Sequence, residues 1–261
     1  MGEERGGAYA EVNGLNLYYE VRGEGEPLIL LHGGFGAIEM FGEVLPLLAE
    51  GRQVIGVDLQ AHGRTADIDR PMTYEAMADD VAALIGHLGL QKADVMGYSL
   101  GGAVALQTAT RHPEAVRKAV LVSTPFKRDG WYPEVLAGME QMGPEAAEPM
   151  KETPMYLLYA GVAPRPEDWP VLLSKVGELL RQDYDWSGTQ TASLRRTRQS
   201  SSGCSVAVRG TRGGKGQVGP SPGSPSCQAR RTTTSSTLPR WHPPSRRSST
   251  RPLRARDELD S

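Results

Sequence analysis

Cysteine is almost absent from this chain of 261 residues, and both cysteines, Cys204 and Cys227, lie in its last quarter. No disulfide can therefore crosslink the first 200 residues, which favours a reducing compartment. The chain has no apolar run long enough to span a bilayer, and the charged segment 1–11 lacks the apolar core of a signal peptide. These absences predict a cytoplasmic location and no membrane partner.

Acidic residues are scarce at the end of the sequence. Residues 186–261 contain 14 lysines and arginines against 3 aspartates and glutamates, a net charge of +11, whereas the remainder carries a net charge of −13. This basic tail is rich in Ser, Thr, Pro and Gly and has almost no apolar periodicity, which is typical of a disordered segment. Arginine clusters bind phosphate, so nucleic-acid binding is one interpretation, but we favour another one below and expect no nucleic-acid partner.

The rest of the sequence alternates strands with helices. Apolar runs typical of buried strands occupy 27–31, 53–57 and 118–122, an alternating strand occupies 15–21, and helical patterns occupy 38–49 and 73–88. Thr73 can cap the second helix and Gly89 can end it. Alternation of this kind predicts an α/β core over 1–124, with a mostly parallel sheet and helices on both faces.

The strongest functional signal is the stretch 94–102. A short apolar strand enters Gly97-Tyr98-Ser99-Leu100-Gly101 and continues directly into an Ala-rich helix. A Gly-x-Ser-x-Gly turn in this setting is typical of a nucleophile elbow, which is a strained turn that exposes the serine hydroxyl. The alternative is a glycine-rich turn that happens to contain a serine, and the flanking strand and helix disfavour it.

The alternation of strands and helices stops after the strand that ends at Val122. Segment 125–185 contains aromatic and methionine residues in helical stretches punctuated by prolines. We interpret it as an inserted helical cap, called the cap segment below. Additional core helices are the alternative.

Two more motifs follow predicted strands: His-Gly-Gly at 32–34 and Asp-Leu-Gln-Ala-His-Gly at 58–63. Together with the elbow they make residues 15–186 resemble the α/β-hydrolase fold superfamily. The sequence is most similar to its cap-bearing esterases, C–C bond hydrolases and perhydrolase-like enzymes. Ala61 departs from the pattern, since family members usually have glycine there.

The resemblance implies a serine hydrolase that acts on a small-molecule ester or acyl substrate, without cofactor or metal. Ser99 would be the catalytic nucleophile, with the backbone N–H groups of Leu100 and Gly34 as oxyanion donors and Phe35 as second choice for the latter. Relatives that use an aspartate nucleophile, such as dehalogenases and epoxide hydrolases, are disfavoured by the serine. The loop-structuring positions of the family correspond to His32, Gly33 and Asp58, and to His62.

The same resemblance places the catalytic acid and histidine beyond Trp186, where the written sequence offers no match. One DNA sequence that can encode residues 227–236 gives a different peptide when it is translated from one base earlier. That peptide, Leu-Pro-Gly-Thr-Thr-His-Tyr-Asp-Ile-Phe, is similar to the family's histidine loop. Segment 241–250, shifted likewise, permits Leu-Ala-Pro-Ala-Val-Thr-Pro-Phe-Leu-Asp, similar to its closing helix. The first base of each shifted codon is free, so the fit shows compatibility only, and no acid loop emerges at 203–209.

We therefore interpret 186–261 as a disordered, out-of-frame tail that follows a frameshift near Ser187. As written, the chain would lack the catalytic acid, the histidine and the last strands of an α/β-hydrolase fold. The strand around Val120 would then have an unpaired edge. A binding protein or pseudoenzyme of the same fold is the alternative function, and the oligomeric state is not predicted.

Overall fold

The structure, a computed structural model, describes residues 5–188, 195–199 and 205–209. Eight strands form one sheet in the order β1-β2-β4-β3-β5-β6-β8-β7. Their bounds are β1 Arg5–Val12, β2 Leu15–Arg22, β3 Glu26–Leu31, β4 Arg52–Val57, β5 Ala93–Tyr98, β6 Val116–Val122, β7 Arg195–Gln199 and β8 Ser205–Arg209. The described residues lie within one compact unit.

The four central strands, β4, β3, β5 and β6, are parallel. The predicted α/β class with a mostly parallel sheet is therefore confirmed. The strand predicted at 15–21 is present as β2, but it pairs antiparallel with β4, with Tyr19 opposite Val57. It therefore lies outside the parallel set. Strand β1 pairs antiparallel with β2 and was not predicted.

Helices cover both faces of the sheet. They are α1 Val44–Ala49, α2 Tyr74–His87 and α3 Leu100–Arg111 in the core, followed by α4 Pro133–Glu140, α5 Pro154–Val162 and α6 Trp169–Arg181. Successive residues of β3 belong to different apolar clusters. Ile29 lies in the larger cluster with residues of α2 and α3, whereas Leu30 lies in the smaller cluster with residues of α1. Both faces of the strand are thus buried, as its unbroken apolar run predicts. No described helix is long and apolar enough to cross a membrane.

The caps of α2 are those expected from the sequence. The Thr73 hydroxyl oxygen accepts a 3.0 Å hydrogen bond from the Ala76 N–H, and the chain leaves the helix through Gly89, whose φ is +68°. The predicted helix 38–49 is instead split into a 3-10 turn, Ile38–Phe41, and α1. The break lies at Gly42, which has a φ of +38° that no helix accommodates.

The cap segment begins and ends at a short antiparallel neck beside β6. The N–H of Trp186 donates to the Phe126 carbonyl at 2.8 Å, and the N–H of Arg128 donates to the Tyr184 carbonyl at 3.0 Å. The rings of Tyr184 and Trp186 stack 4.1 Å apart, and Trp186 meets Tyr74 of α2 edge-on. The neck is therefore fixed to the core by an aromatic cluster.

The outer edge of β6 is paired, so the prediction of an unpaired edge is wrong. Strand β8 pairs antiparallel with β6, with Ala207 opposite Val120, and β7 completes a hairpin with β8. Within the described residues no parallel strand follows β6, so the parallel strands that the resemblance implies at this edge are missing there. The remainder of the basic tail lies outside the described residues, and its disorder stays a prediction.

Candidate active site

Ser99 lies at the turn between β5 and α3 in a strained conformation. Its φ of +53° and ψ of −116° lie outside the regions that residues with a side chain normally occupy. The Ser99 N–H donates to the Val122 carbonyl at 2.8 Å, and its carbonyl accepts from the N–H groups of Gly102 and Ala103 at 2.9 and 3.1 Å. The Thr124 hydroxyl donates to the same carbonyl at 2.7 Å. Bonds on both sides of the residue hold the strain in place.

The glycines around Ser99 are required by close backbone approach. A Cβ at Gly97 would lie 2.0 Å from the Gly101 carbonyl oxygen, and a Cβ at Gly101 would lie 2.4 Å from the carbonyl oxygen of His32. A Cβ at Gly102 would lie 2.0 Å from the Thr124 hydroxyl oxygen. The elbow therefore packs backbone against backbone, which only glycine allows.

The loop 33–35 faces the elbow. A Cβ built on Gly33 would lie 3.4 Å from the Cβ of Ser99, and one built on Gly34 would lie 3.6 Å from Cδ1 of Leu100. Phe35 has a φ of +61°. In the part of the chain that is described, the N–H groups of Gly34, Phe35 and Leu100 donate to no backbone carbonyl. Three donors near the serine are thus available to a ligand.

His32 organises this loop and has no free nitrogen. Its Nδ1 bonds to the Gly33 carbonyl at 2.7 Å and its Nε2 accepts from the Leu59 N–H at 3.1 Å. Nδ1 therefore carries the proton. Burial lowers the pKa of His32 to about 4, so the ring is neutral at pH 7.

Asp58 ties the loop after β4 to the segment that follows Phe35. Its carboxylate accepts from the N–H groups of Ile38 and Arg64, each at 2.9 Å. The side chain is fully buried, and burial raises the pKa of Asp58 to about 6 against the opposing effect of these bonds. His32 and Asp58 thus connect the ends of β3 and β4 on the side of the sheet that carries Ser99.

Among the described histidines, none is placed as a base for Ser99. His62 is fully buried, its Nδ1 bonds to the Gln60 carbonyl at 2.8 Å, and burial lowers its pKa to about 3. His87 is exposed in the last turn of α2. His112 caps the far end of α3, about 18 Å from the elbow at 1.5 Å per residue. The predicted absence of a base therefore stays a prediction, since His242 lies outside the described residues.

The cap segment contacts the loop 33–35 directly. Cγ1 of Val176, in α6, would lie 3.7 Å from a Cβ on Gly34. The ring of Trp169, also in α6, meets the Phe35 ring edge-on at a centroid distance of 5.9 Å. No cluster of three or more metal-ligating side chains that could hold a metal ion occurs in the described residues.

The structure thus has a strand, a strained turn at the serine and a helix, opposite a loop whose N–H groups donate to no backbone carbonyl within the described residues. This arrangement agrees with the family that the sequence matches. The model of the alpha/beta hydrolase fold family matches residues 26–159, which is half of the chain and includes the loop, the turn and the elbow. The chain belongs to the alpha/beta hydrolase fold family. The relatives that it matches include proteins named as a lipase, an epoxide hydrolase and an esterase.

Three curated relatives illustrate this range of the hydrolase family. A soluble epoxide hydrolase from Corynebacterium sp. (strain C12) is 31% identical over 188 residues, which is 68% of this chain and 60% of that protein. An sn-1-specific diacylglycerol lipase of Danio rerio is 35% identical over 41% of this chain and 35% of that protein. A pimeloyl acyl-carrier-protein methyl ester esterase of Neisseria meningitidis is 42% identical over 41% of each chain. The chain thus spans 35–60% of the length of these relatives.

Solved hydrolase structures share the fold. E-2-(acetamidomethylene)succinate hydrolase superimposes with a TM-score of 0.55 at 21% identity, covering 70% of this chain and 75% of that one. A thermophilic esterase from Thermogutta terrifontis superimposes with a TM-score of 0.52 at 24% identity, covering 70% and 74%. At these identities the likeness shows the fold alone.

Sequence reasoning missed one residue that contacts the elbow and one that joins α6 to the core. Thr124 is buried and bonds to the Ser99 carbonyl across 25 positions of sequence. Lys175 of α6 bonds to carbonyl groups more than 100 positions away. Neither residue stands in a local motif, so no sequence signal was available for them.

Proposed function

We propose that this protein derives from a serine hydrolase in which Ser99 attacks the carbonyl carbon of a carboxylic ester or of a related acyl or C–C substrate. The observation that supports it is the strained, half-buried Ser99 opposite the N–H groups of Gly34 and Leu100, which donate to no backbone carbonyl in the described part of the chain. A strained nucleophile facing preorganised donors is what acyl transfer requires.

The proposed reaction begins with loss of the Ser99 hydroxyl proton to a base as its oxygen bonds to the acyl carbon. The carbonyl oxygen then carries negative charge, which the N–H groups of Leu100 and of Gly34 or Phe35 stabilise. The N-terminal end of α3 adds a positive partial charge at the same position. As the tetrahedral intermediate collapses, the bond to the leaving oxygen of an ester breaks and the base returns its proton to that oxygen, so that the alcohol leaves. An acyl group remains on Ser99 for water to remove.

The base and the acid are the missing components. Both His32 nitrogens are bonded, and His62 is buried with a pKa lowered to about 3. We therefore propose that the chain as written is impaired in catalysis and that a shift of reading frame near Ser187 replaced the segment that carries both groups. Sequencing the gene around codons 186 to 260 tests the frame directly.

The names of the three relatives described above leave the substrate open between esters and epoxides. The serine at the elbow favours esters and related acyl compounds, because the resemblance gives epoxide hydrolases an aspartate there. A pseudoenzyme that binds an acyl ligand without turnover is the second candidate, and the occupied nitrogens of His32 favour it for the written chain. The cytoplasmic location and the absence of nucleic-acid and membrane partners remain predictions.

Hydrolysis of p-nitrophenyl acetate and labelling by a fluorophosphonate test the proposal. The written chain should show negligible turnover, at most the roughly 10³–10⁴-fold acceleration over water that donors alone supply. Restoring the frame by one base near codon 187 should produce turnover that Ser99→Ala abolishes. Ser123→Ala is the matched control, because Ser123 also has a φ of +53° at a neighbouring strand end but precedes no helix. Ser99-dependent turnover by the unrepaired chain would contradict the frameshift.

A further inference from the structure

Lys175 of α6 makes a concentrated set of contacts between the cap segment and the core. Its ammonium donates to the carbonyl oxygens of Ile68 and Arg70, both at 2.8 Å, and pairs with the Asp67 carboxylate at 2.7 Å. The side chain of Lys175 is 20% exposed and that of Asp67 is 13% exposed. This is a partly buried, fully bonded ammonium, which contributes more than a solvent-exposed ion pair.

The loop that receives Lys175 is itself fixed to the core. The fully buried Gln60 donates to the Asp67 carboxylate at 2.9 Å and accepts from Nε of Arg70 at 2.8 Å. Arg70 also forms an ion pair with Asp80 of α2. The segment that accepts from Lys175 is therefore held in position by core residues that do not belong to α6.

Helix α6 also packs against loop 33–35, which contains the proposed oxyanion donors. Val176 follows Lys175 directly and lies against Gly34. Trp169, two turns earlier, packs on Phe35. The position of α6 therefore decides whether the space above Gly34 is covered.

We propose that Lys175 is a positioning residue, whose contacts with segment 67–70 keep α6 closed over Gly34 and Phe35 and so control access to Ser99. Among the described residues, the cap segment is attached to the core at the neck (126–128 and 184–186), through the buried apolar face of α6, and through the Lys175 contacts, which are the polar attachment of α6 itself. Without the ammonium two carbonyl groups and a carboxylate lose their donor, while the neck is unchanged. The helix then moves about the neck and uncovers the loop.

A buried thiol at the contact measures this movement in the full-length chain. Cys204 and Cys227 are replaced by serine, and Val176→Cys places a thiol where α6 covers Gly34. A second protein with Val104→Cys instead reports opening of the core, because Val104 is fully buried in α3. The rate of reaction with N-ethylmaleimide is measured for both proteins with and without Lys175→Met.

Lys175→Met should raise the labelling rate of the thiol at position 176 by about tenfold or more and leave that at position 104 unchanged. Asp67→Asn should raise the labelling rate at position 176 less than Lys175→Met does. The double variant should label no faster than Lys175→Met alone, since the two side chains act as one contact. The matched control is Lys151→Met, which removes an exposed cap lysine paired with Glu148 and should have no effect.

An unchanged rate at position 176 overturns the proposal. An equal increase at positions 176 and 104 also overturns it, because Lys175 would then stabilise the whole chain rather than position α6. The role of loop 33–35 as the source of oxyanion donors rests on the proposed function. The labelling rates, however, do not depend on the reactivity of Ser99. Failure of either proposal can therefore be recognised separately.

Discussion

The hydroxyl of Thr124 donates a 2.7 Å hydrogen bond to the carbonyl oxygen of Ser99, and it does so from the first residues after β6. The carbonyl also accepts from two N–H groups of α3. Thr124 therefore connects the end of one strand to the strained turn at the end of its neighbour. Its hydroxyl also occupies the space that a side chain at Gly102 would need.

We expect Thr124→Val to lower the free energy of unfolding by about 1–3 kcal/mol, because a methyl group replaces a buried donor against two carbonyl oxygens. Thr124→Ser keeps the hydroxyl and should cost only the lost methyl, about 0.8 kcal/mol. Urea denaturation of both variants measures the difference. If serine costs as much as valine, packing rather than the hydrogen bond holds the turn.

The glycine at position 101 offers a sharper test of backbone contact. Gly101→Ala should lower the free energy of unfolding by about 3 kcal/mol or more, because its Cβ would lie 2.4 Å from two backbone carbonyl oxygens that cannot rotate away. Gly86→Ala, also in a helix, meets nothing within 4 Å and should stabilise the protein by about 0.5–1 kcal/mol. Equal effects in thermal or urea unfolding would contradict the packing described for the elbow.

Much of the core could be predicted because its strands are buried on both faces and give unbroken apolar runs. Two of the three motifs follow such runs and the elbow follows β5, so the parallel arrangement brings all three to one edge of the sheet. Strand β1 was missed because it is short of apolar residues and lies at the edge. Its signal was the Asn13-Gly14 pair, which forms the hairpin turn with φ values of +50° and +80°.

Other features could not be predicted, because they depend on tertiary contacts. The partners of Thr124 and Lys175 are 25 and more than 100 positions away. The pairing of β8 with β6 likewise joins segments over 80 positions apart. Local patterns carry no information about such contacts, so the contacts of Lys175 with segment 67–70 emerge only from the structure.

Ala61, where the family usually has glycine, has a φ of +63°. Its methyl group therefore strains the turn. We expect Ala61→Gly to change the free energy of unfolding by less than about 1 kcal/mol, since relief of strain offsets the greater freedom of the unfolded chain. Gly63→Ala in the same turn should cost about 3 kcal/mol or more, because its Cβ would lie 2.3 Å from the Asp58 carboxylate. Chemical denaturation of the two variants compares them, and a severe loss in Ala61→Gly would contradict this account.

Asp58 should make the protein more stable as the pH falls from 6 to 4. Burial raises its pKa from 3.8 to about 6, so the folded state binds the proton more tightly than the unfolded state. The contribution is complete below 3.8 and is lost as the pH rises through 6. The difference in unfolding free energy between the parent and Asp58→Asn should therefore decline with rising pH, by at most about 1.4 kcal/mol per pH unit. A difference that grows with pH would show that its hydrogen bonds outweigh burial.

His62 should have the opposite dependence on pH. Burial lowers its pKa from 6.5 to about 3, so its contribution to stability is complete above 6.5 and is lost as the pH falls toward 3. Relative to His62→Asn, whose amide can still donate to the Gln60 carbonyl, the parent should lose stability over that range. In NMR spectra the His62 ring signals should not titrate between pH 8 and pH 5. A ring that stays neutral there cannot hold the proton of Ser99, whereas a midpoint near 6.5 would return His62 to the candidates for the missing base.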